Sequence, residues 1–341
     1  MLFEIRCAVP AGDIRGEGAV WDSDQCALHW ADINRFIMHR YLPAGKATES
    51  WLFGEPVVSV NLTTIPGQLP LVLASHVAFW SPDAHPELAV IYSLPAAPAI
   101  RFNDAKVDPR GSLWAGTMRN NVGPDGEDLD IEFAEGTLYR LDPDGSASEW
   151  MHRIGISNAL AWSPDHSTYY FGDTIANAIY SFAFDRLTGT ISMRRPFFTG
   201  YDKDLPDGSA MDAEGCLWVT RPFAGCLVRV RPDGSIDRTV PLPVSKPTTC
   251  AFGGPGLRTL FITSARSCRR LSGGLFAIET DVPGDPGRST REPTSMSEAA
   301  ACVSLEFARS QRSEVFDTLT SGRIEVRTSR IASFQARWLR R

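Results

Sequence analysis

A phrase made of a tight turn and a short aromatic or β-branched run recurs along the chain, and this repetition dictates the architecture. It reads WDSDQCALHWAD from Trp21, DPRGSLWAGT from Asp108, SPDHSTYYFGD from Ser163, DAEGCLWVT from Asp212 and GGPGLRTLFIT from Gly253. Counted from Asp22, Asp108, Ser163, Asp212 and Gly253, the intervals are 86, 55, 49 and 41 residues. The first is twice 43, which places a degenerate sixth copy near Val57–Ser75, where two apolar runs flank Pro66 and Gly67. A unit of about 40–55 residues with four short strands cannot hide its sheet faces alone, so it packs between neighbours as a propeller blade. Uneven spacing disfavours a parallel β-helix, and six units exceed a sandwich. The last unit holds three strands, Thr248–Phe252, Arg258–Ser264 and Gly274–Thr280, while Leu2–Ala8 is a strand without a unit of its own. Pairing these would remove an exposed edge. The expected fold is therefore all-β, a six-bladed β-propeller closed by pairing of the N-terminal strand with the last blade.

Composition narrows the function. With 341 residues, 43% apolar and 22% charged, the chain has ample material for a core. A net charge of −6 and the lack of a basic stripe with interleaved aromatics exclude a nucleic-acid partner. No window approaches 18 uninterrupted apolar residues, and Glu4 and Arg6 stand where a secretory signal would be apolar, so no membrane partner and a cytoplasmic location are expected. The seven cysteines (Cys7, Cys26, Cys216, Cys226, Cys250, Cys268, Cys302) form no C-x-x-C pair and suit reduced thiols.

The chain changes character after the cluster Val282-Pro283-Gly284-Asp285-Pro286-Gly287. Residues 285–341 hold ten Arg, no Lys and seven acidic residues, a net +3, which leaves −9 on residues 1–284. The expected organisation is a propeller over 1–284 and an atypical Arg-rich extension over 285–341, which does not continue the repeat. Fragments of helical periodicity at Ala301, Leu305, Ala308, Val315 and Leu319, and an alternating run at Arg323–Thr328, assign it no role. It is expected to be dispensable for folding.

The repeat also carries a functional signal. Five residues before each opening position stand Glu17, Asn103, Asn158, Asp207 and Thr248, all polar beside strands that should be apolar. In a propeller, equivalent positions lie at one level, so these side chains are expected at the mouth of the central channel. Two carboxylates and two amide carbonyls are hard oxygen ligands for one divalent cation, which would also relieve repulsion between Glu17 and Asp207. Turn chemistry alone would explain Asn158 or Asp207 taken singly. It explains neither Glu17 nor the recurrence in phase. Arg101, two residues before Asn103, projects on the same face and is placed to meet carbonyl or hydroxyl oxygens of a substrate, or to form a surface ion pair.

Other chemistries find little support. Gly155-Ile156-Ser157-Asn158-Ala159 lacks the final glycine of a nucleophile elbow and no βα unit surrounds it. The six histidines form no H-E-x-x-H or other closely spaced metal pair. No phosphate-binding glycine loop is present, and Gly16-Glu17-Gly18 is too short and acidic to serve as one.

The segments GEGAVWD (Gly16–Asp22), RFNDAKVDPRGSLWAGTM (Arg101–Met118), GISNALAWSPD (Gly155–Asp165), PDGSAMDAEGCLWVT (Pro206–Thr220) and CAFGGPGLRTLFITSAR (Cys250–Arg266) together resemble the senescence marker protein/gluconolactonase/regucalcin family. The resemblance covers roughly residues 14–282. It implies a six-bladed propeller that binds one divalent metal ion (Ca, Zn, Mn or Mg) and, in its enzymatic members, hydrolyses sugar lactones to aldonic acids. Carried over, the metal ligands are Glu17, Asn158 and Asp207, Arg101 is a substrate contact, and Asn103 is a contact to substrate or to a metal-bound water. Where relatives often have Glu, this chain has Asn121, expected at the substrate and leaving substrate preference open. Ala105 and Ala159 stand where relatives have glycine.

The expected reaction is hydrolysis of a small-molecule sugar lactone by a monomer or small homo-oligomer, with Asp207 as catalytic general base, Glu17 holding the cation, and Arg101 and Asn103 orienting the sugar. Two alternatives stand beside it: an organophosphate or aryl-ester hydrolase on the same metal site, and a non-catalytic calcium-binding regulatory propeller.

Overall fold

A computed structural model describes residues 3–83, 85–130 and 134–286, and in it the turns opening the third and fifth blades' repeats share a physical cause. The Asp108 carboxylate accepts the backbone N–H groups of Arg110 and Ser112 at 2.7 and 3.0 Å and the indole N–H of Trp114 at 3.0 Å. Asp212 does the same for Glu214, Cys216 and Trp218. One carboxylate thus reverses the chain and anchors a buried tryptophan further along the strand that follows. Gly111 and Gly215 supply the left-handed backbone this turn needs, at φ of 96° and 78°.

After β1 (Ile5–Val9), the strands fall into consecutive groups of four. The first sheet is β2 (Gly16–Asp22), β3 (Ala27–Asp32), β4 (Ile37–Leu42) and β5 (Ala47–Leu52). The second is β6 (Val57–Val60), β7 (Leu69–Leu73), β8 (His76–Ser81) and β9 (His85–Ser93), built on the degenerate copy. The third is β10 (Ile100–Val107), β11 (Leu113–Arg119), β12 (Gly136–Leu141) and β13 (Ala147–Ile154). The fourth is β14 (Ser157–Trp162), β15 (Thr168–Asp173), β16 (Ala178–Phe184) and β17 (Ile191–Thr199). The fifth is β18 (Ser209–Met211), β19 (Leu217–Arg221), β20 (Cys226–Val230) and β21 (Ile236–Pro241). The sixth joins β22 (Pro247–Gly253), β23 (Thr259–Ser264) and β24 (Leu275–Glu279) to β1.

These six antiparallel sheets are the blades of a propeller. Strands β6, β14, β18 and β22 are buried along their length, whereas β5 and β17 are largely exposed. The first strand of each blade therefore lies inside, and these inner strands neighbour one another from β2 through β22 and back to β2. Apolar side chains fill each gap between blades. Trp114 and Leu138 meet Leu160 and Phe171 between the third and fourth, for example, each fully buried side chain of this kind contributing about 1.5–3 kcal/mol.

The expected closure needs correction. Strand β1 does pair antiparallel with β24, Ile5 opposite Ile278, but no sheet is closed by hydrogen bonds, since all six are open four-stranded ladders. The pairing shifts the sixth blade's outer edge from β24 to β1 rather than removing it. Side-chain packing joins the ends of the ring: Trp21, Leu28, Trp30 and Tyr41 of the first blade pack against Phe261, Leu275 and Ala277 of the sixth. Trp21 stacks on Phe261 with ring centroids 5.8 Å apart.

Among the described residues no helix is long and apolar enough to cross a membrane. Cys7, Cys26, Cys216, Cys226, Cys250 and Cys268 are free thiols, and Cys302 lies outside the described residues. Of the expected extension 285–341, Asp285 and Pro286 are described and the periodic fragments after them are not. The chain there crosses to the fifth blade, where Ala213 N–H donates to Pro283 O and Asp285 N–H to Met211 O, both at 3.0 Å.

Candidate functional site

The in-phase polar residues stand where the inner strands break their pairing register. A β-bulge follows Glu17 in β2, spans Asn103 and Asp104 in β10, and follows Asn158 in β14. An extra residue in one strand re-aims the side chain beside it, which suits a binding mouth. Gly18 and Ala159 occupy the left-handed position of two of these bulges, at φ of 62° and 53°. The alanine at 159 thus adopts the backbone a glycine would take there.

A chain of hydrogen bonds then crosses three blades. Arg101 is buried, and its Nε and one terminal nitrogen donate to Asn121 Oδ1 at 3.0 and 2.6 Å. Its other terminal nitrogen donates to Phe102 O at 2.7 Å and to Asn103 Oδ1 at 2.8 Å. Asn103 Nδ2 donates to Ser157 O at 2.9 Å and Asn158 Oδ1 at 3.1 Å. Asn158 Nδ2 donates to Thr174 Oγ1, and that hydroxyl to Pro206 O, each at 2.8 Å. Asn121, Arg101, Asn103 and Asn158 are therefore brought together as one network, ending beside Asp207.

Charge completes the mouth. Burial among protein atoms pushes the Glu17 carboxyl well above its ordinary range, and the negative charges of Asp207 and Asp104 push it further. Asp207 is raised for the same reasons, by burial first and by Asp104 next, with Arg15 opposing. Burial also raises Asp104, against which Lys106 and the N–H groups of Leu160 and Ala105 act. Arg101 is lowered to about 9, by burial and then by the positive charge of Arg15.

Two carboxylates and an amide oxygen, Glu17, Asp207 and Asn158, suit a hard divalent cation, which would cancel the repulsion that raises both acids. Among the described residues no group of three His, Cys, Asp or Glu side chains makes a metal cluster by itself. A cation here would accordingly draw on Asn158 as well as on the acids.

Thr248 shares the phase but not the mouth. Its hydroxyl donates to Gly16 O, suturing the sixth blade to the first. Ser157 Oγ is buried with no hydrogen-bond partner among the described residues, so no base activates it. Sequence reasoning missed Arg15 and Asp104. Arg15 stands two residues before Glu17, the offset that singled out Arg101 before Asn103. Asp104 was hidden by strand alternation, which assigns it to the face opposite Asn103 until the bulge is known.

A cavity of about 330 Å3 lies at the other end of the inner strands, lined by Trp21, Lys106, Trp162, Met211 and Phe252 among others. None of Glu17, Asn158 and Asp207 lines it, so the concentrated charge and this cavity are at opposite ends of the inner strands.

The chain is thus a six-bladed propeller with acidic and amide side chains gathered from several blades at one end of the inner strands. Residues 15–266 match the family model described as SMP-30/Gluconolactonase/LRE-like region. The chain belongs to that family. It is 34% identical over 286 residues to a regucalcin from Oryctolagus cuniculus, covering 81% of this chain and 94% of the relative. It is 33% identical over 292 residues to a 6-deoxy-6-sulfogluconolactonase from Pseudomonas putida, covering 82% and 96%. A solved structure of a calcium-binding protein, regucalcin, from Agrobacterium tumefaciens superposes with a TM-score of 0.77 at 25% identity, covering 86% of this chain and 98% of that one.

Proposed function

We propose that this protein is a divalent-cation-dependent hydrolase of sugar lactones, opening the cyclic ester to the aldonic acid. The observation that carries the reading is the hydrogen-bonded Arg101–Asn103–Asn158 network with two buried acids from different blades beside it, Glu17, raised by burial and by Asp207, and Asp207, raised by burial and by Asp104. The relative from Pseudomonas putida, named as a lactonase, supports it.

In this reading Glu17, Asn158 and Asp207 hold the cation. When bound, the cation would polarise the lactone carbonyl and offset the negative charge its oxygen gains, an effect of several kcal/mol. Asp207 takes a proton from the attacking water as the water oxygen bonds to the carbonyl carbon. The ring C–O bond breaks, and the departing ring oxygen takes the proton that Asp207 accepted, which restores the carboxylate. Arg101 and Asn103 fix each other through the 2.8 Å hydrogen bond and keep the sugar within reach of Asp207.

The test is acid release from a panel of aldonolactones, with and without a chelator, in the wild type and Asp207→Ala. Chelator-sensitive turnover that collapses in the variant supports the reading. A second reading is a calcium-binding propeller without turnover, favoured by the description of the solved relative from Agrobacterium tumefaciens. Calorimetric binding of calcium together with no turnover of any lactone, aryl ester or organophosphate would select it.

A further inference from the structure

A serine hydroxyl, an imidazole and a buried carboxylate meet in line on the first blade. Ser50 Oγ lies 2.7 Å from His39 Nδ1, and His39 Nε2 lies 3.2 Å from Asp13 Oδ1. Asp13 and His39 are buried, whereas Ser50 is exposed. An ionised carboxylate only accepts, so Nε2 carries the proton of the neutral ring, Nδ1 keeps its lone pair, and the Ser50 hydroxyl donates to it. That is the order of an activated nucleophile. Ser75 makes a useful contrast: it lies 2.6 Å from His76 Nδ1, but Glu55 Oε1 is 2.5 Å from the same nitrogen, which leaves no base for that hydroxyl.

The backbone adds a donor. Strand β5 is the free edge of its sheet, paired with β4 alone. Phe53 N–H donates to Phe36 O at 2.8 Å, and the register runs unshifted from Ile37 opposite Leu52 to Leu42 opposite Ala47. Pairs alternate along an antiparallel ladder, so His39 and Ser50 form a pair without backbone hydrogen bonds, the kind whose side chains stand closest. The Ser50 N–H consequently points out from the sheet edge, beside its own Oγ, where an oxyanion would form. Leu52, two residues on, shares the face of Ser50 and is 78% exposed, which offers apolar surface to a short acyl chain.

The buried groups favour transfer of the serine proton. Trp30 donates its indole N–H to Asp13 Oδ2 at 2.8 Å and stacks on His39 with ring centroids 4.6 Å apart, holding both in place. Arg35 pairs with Asp13 at 2.8 Å and opposes a second cation there, but it also pairs with Asp32. Two carboxylates thus meet one guanidinium, and one negative charge remains to offset an imidazolium at His39.

We propose that Ser50 is a second, cation-independent nucleophilic site, which takes small activated esters with a short apolar acyl group. Ser50 Oγ bonds to the acyl carbon as its proton passes to His39 Nδ1. The ester C–O bond breaks with its electron pair on the leaving oxygen, which takes that proton, and acyl-Ser50 remains. Water then attacks the acyl carbon, its proton passing through Nδ1 to Ser50 Oγ, and the carboxylic acid is released. The site is independent of the lactonase reading.

The experiment uses the full chain in excess chelator, which silences the cation site, with p-nitrophenyl acetate and phenylmethanesulfonyl fluoride as probes. Nitrophenolate release should persist, with an acetyl group found on Ser50 by peptide mass spectrometry. Base assistance is worth about 10²–10⁴-fold, so the sulfonyl fluoride should label Ser50 at least about tenfold faster than any other serine. Ser50→Ala, a change at an exposed position, should abolish both signals while cation binding by calorimetry stays at the wild-type value. His39→Gln should slow labelling of Ser50 by about tenfold or more. Nitrophenolate release that requires the cation or survives in Ser50→Ala, label spread evenly over the serines, or labelling undiminished in His39→Gln overturns the proposal.

Discussion

Asn103 Nδ2 donates to Asn158 Oδ1 at 3.1 Å, joining the third and fourth blades at the mouth although 55 residues separate the two in sequence. With Arg101 on one side and Thr174 on the other, this bond holds the Asn158 carbonyl oxygen in a single direction and leaves it a second lone pair. Asn103→Ala should lower kcat/KM for a lactone by about 10–100-fold, because a ligand and a substrate contact lose their orientation together. Chemical denaturation should show a loss of only about 1–3 kcal/mol, from Asn158 and Arg101 left short of partners. A kinetic loss no larger than the stability loss accounts for would remove the positioning role.

Gly18 allows the first bulge. A Cβ there would lie 2.7 Å from both Ser59 Cα and Val58 O, backbone atoms that cannot step aside, and the residue has a φ of 62°. Gly18→Ala should destabilise by more than about 2 kcal/mol and misplace Glu17. An unchanged urea midpoint would contradict this account of the bulge.

His29 gives the fold a dependence on pH. It is buried on β3 opposite Arg40, and among the described residues neither ring nitrogen has a hydrogen-bond partner. Burial, and then the Arg40 charge, lower it from 6.5 to about 4. The unfolded chain therefore binds this proton first as pH falls. The stability due to the neutral ring is complete above about 6.5 and is lost progressively toward about 4, up to about 3 kcal/mol. His29→Leu should flatten the stability profile in that window. A slope identical to the wild type would show that His29 does not titrate as described.

We propose that residues up to Pro286 suffice for the propeller. Gly284 N–H donates to Leu257 O at 2.8 Å and Asp285 N–H to Met211 O at 3.0 Å, tying this segment to the sixth and fifth blades. Truncation after Pro286 should retain the melting temperature and ligand binding of the full chain, whereas truncation after Pro283 should cost about 1–3 kcal/mol. Collapse of the longer truncation would make residues 287–341 part of the folding unit.

Much of the fold is legible in the sequence. The turn phrase stands out in the third and fifth blades because Asp108 and Asp212 do the same physical job there, accepting backbone and indole N–H groups. The second blade was nearly illegible, since β6 and β7 keep the apolar runs without the Asp and Trp. At the inner strands, phase groups Glu17, Asn103, Asn158 and Asp207, because a propeller turns equal offsets into equal heights. Phase also selected Thr248, whose hydroxyl is spent on Gly16 at the seam. Asp104 stayed hidden because a bulge breaks strand alternation without a sequence signature of its own. The means of closure was misread for a related reason: strand pairing leaves a pattern in the sequence, but packing between the first and sixth blades involves ordinary core residues such as Trp21 and Phe261.

The most direct measurement follows lactone hydrolysis by the wild type and Asp207→Asn at matched, saturating divalent cation, with calorimetry of cation binding to each. The account predicts chelator-sensitive turnover in the wild type, at least about 10²-fold lower kcat in the variant and weaker cation binding, since one isosteric change removes both a ligand charge and the proton acceptor. Turnover that survives undiminished in Asp207→Asn, or cation affinity equal in the two proteins, would contradict it.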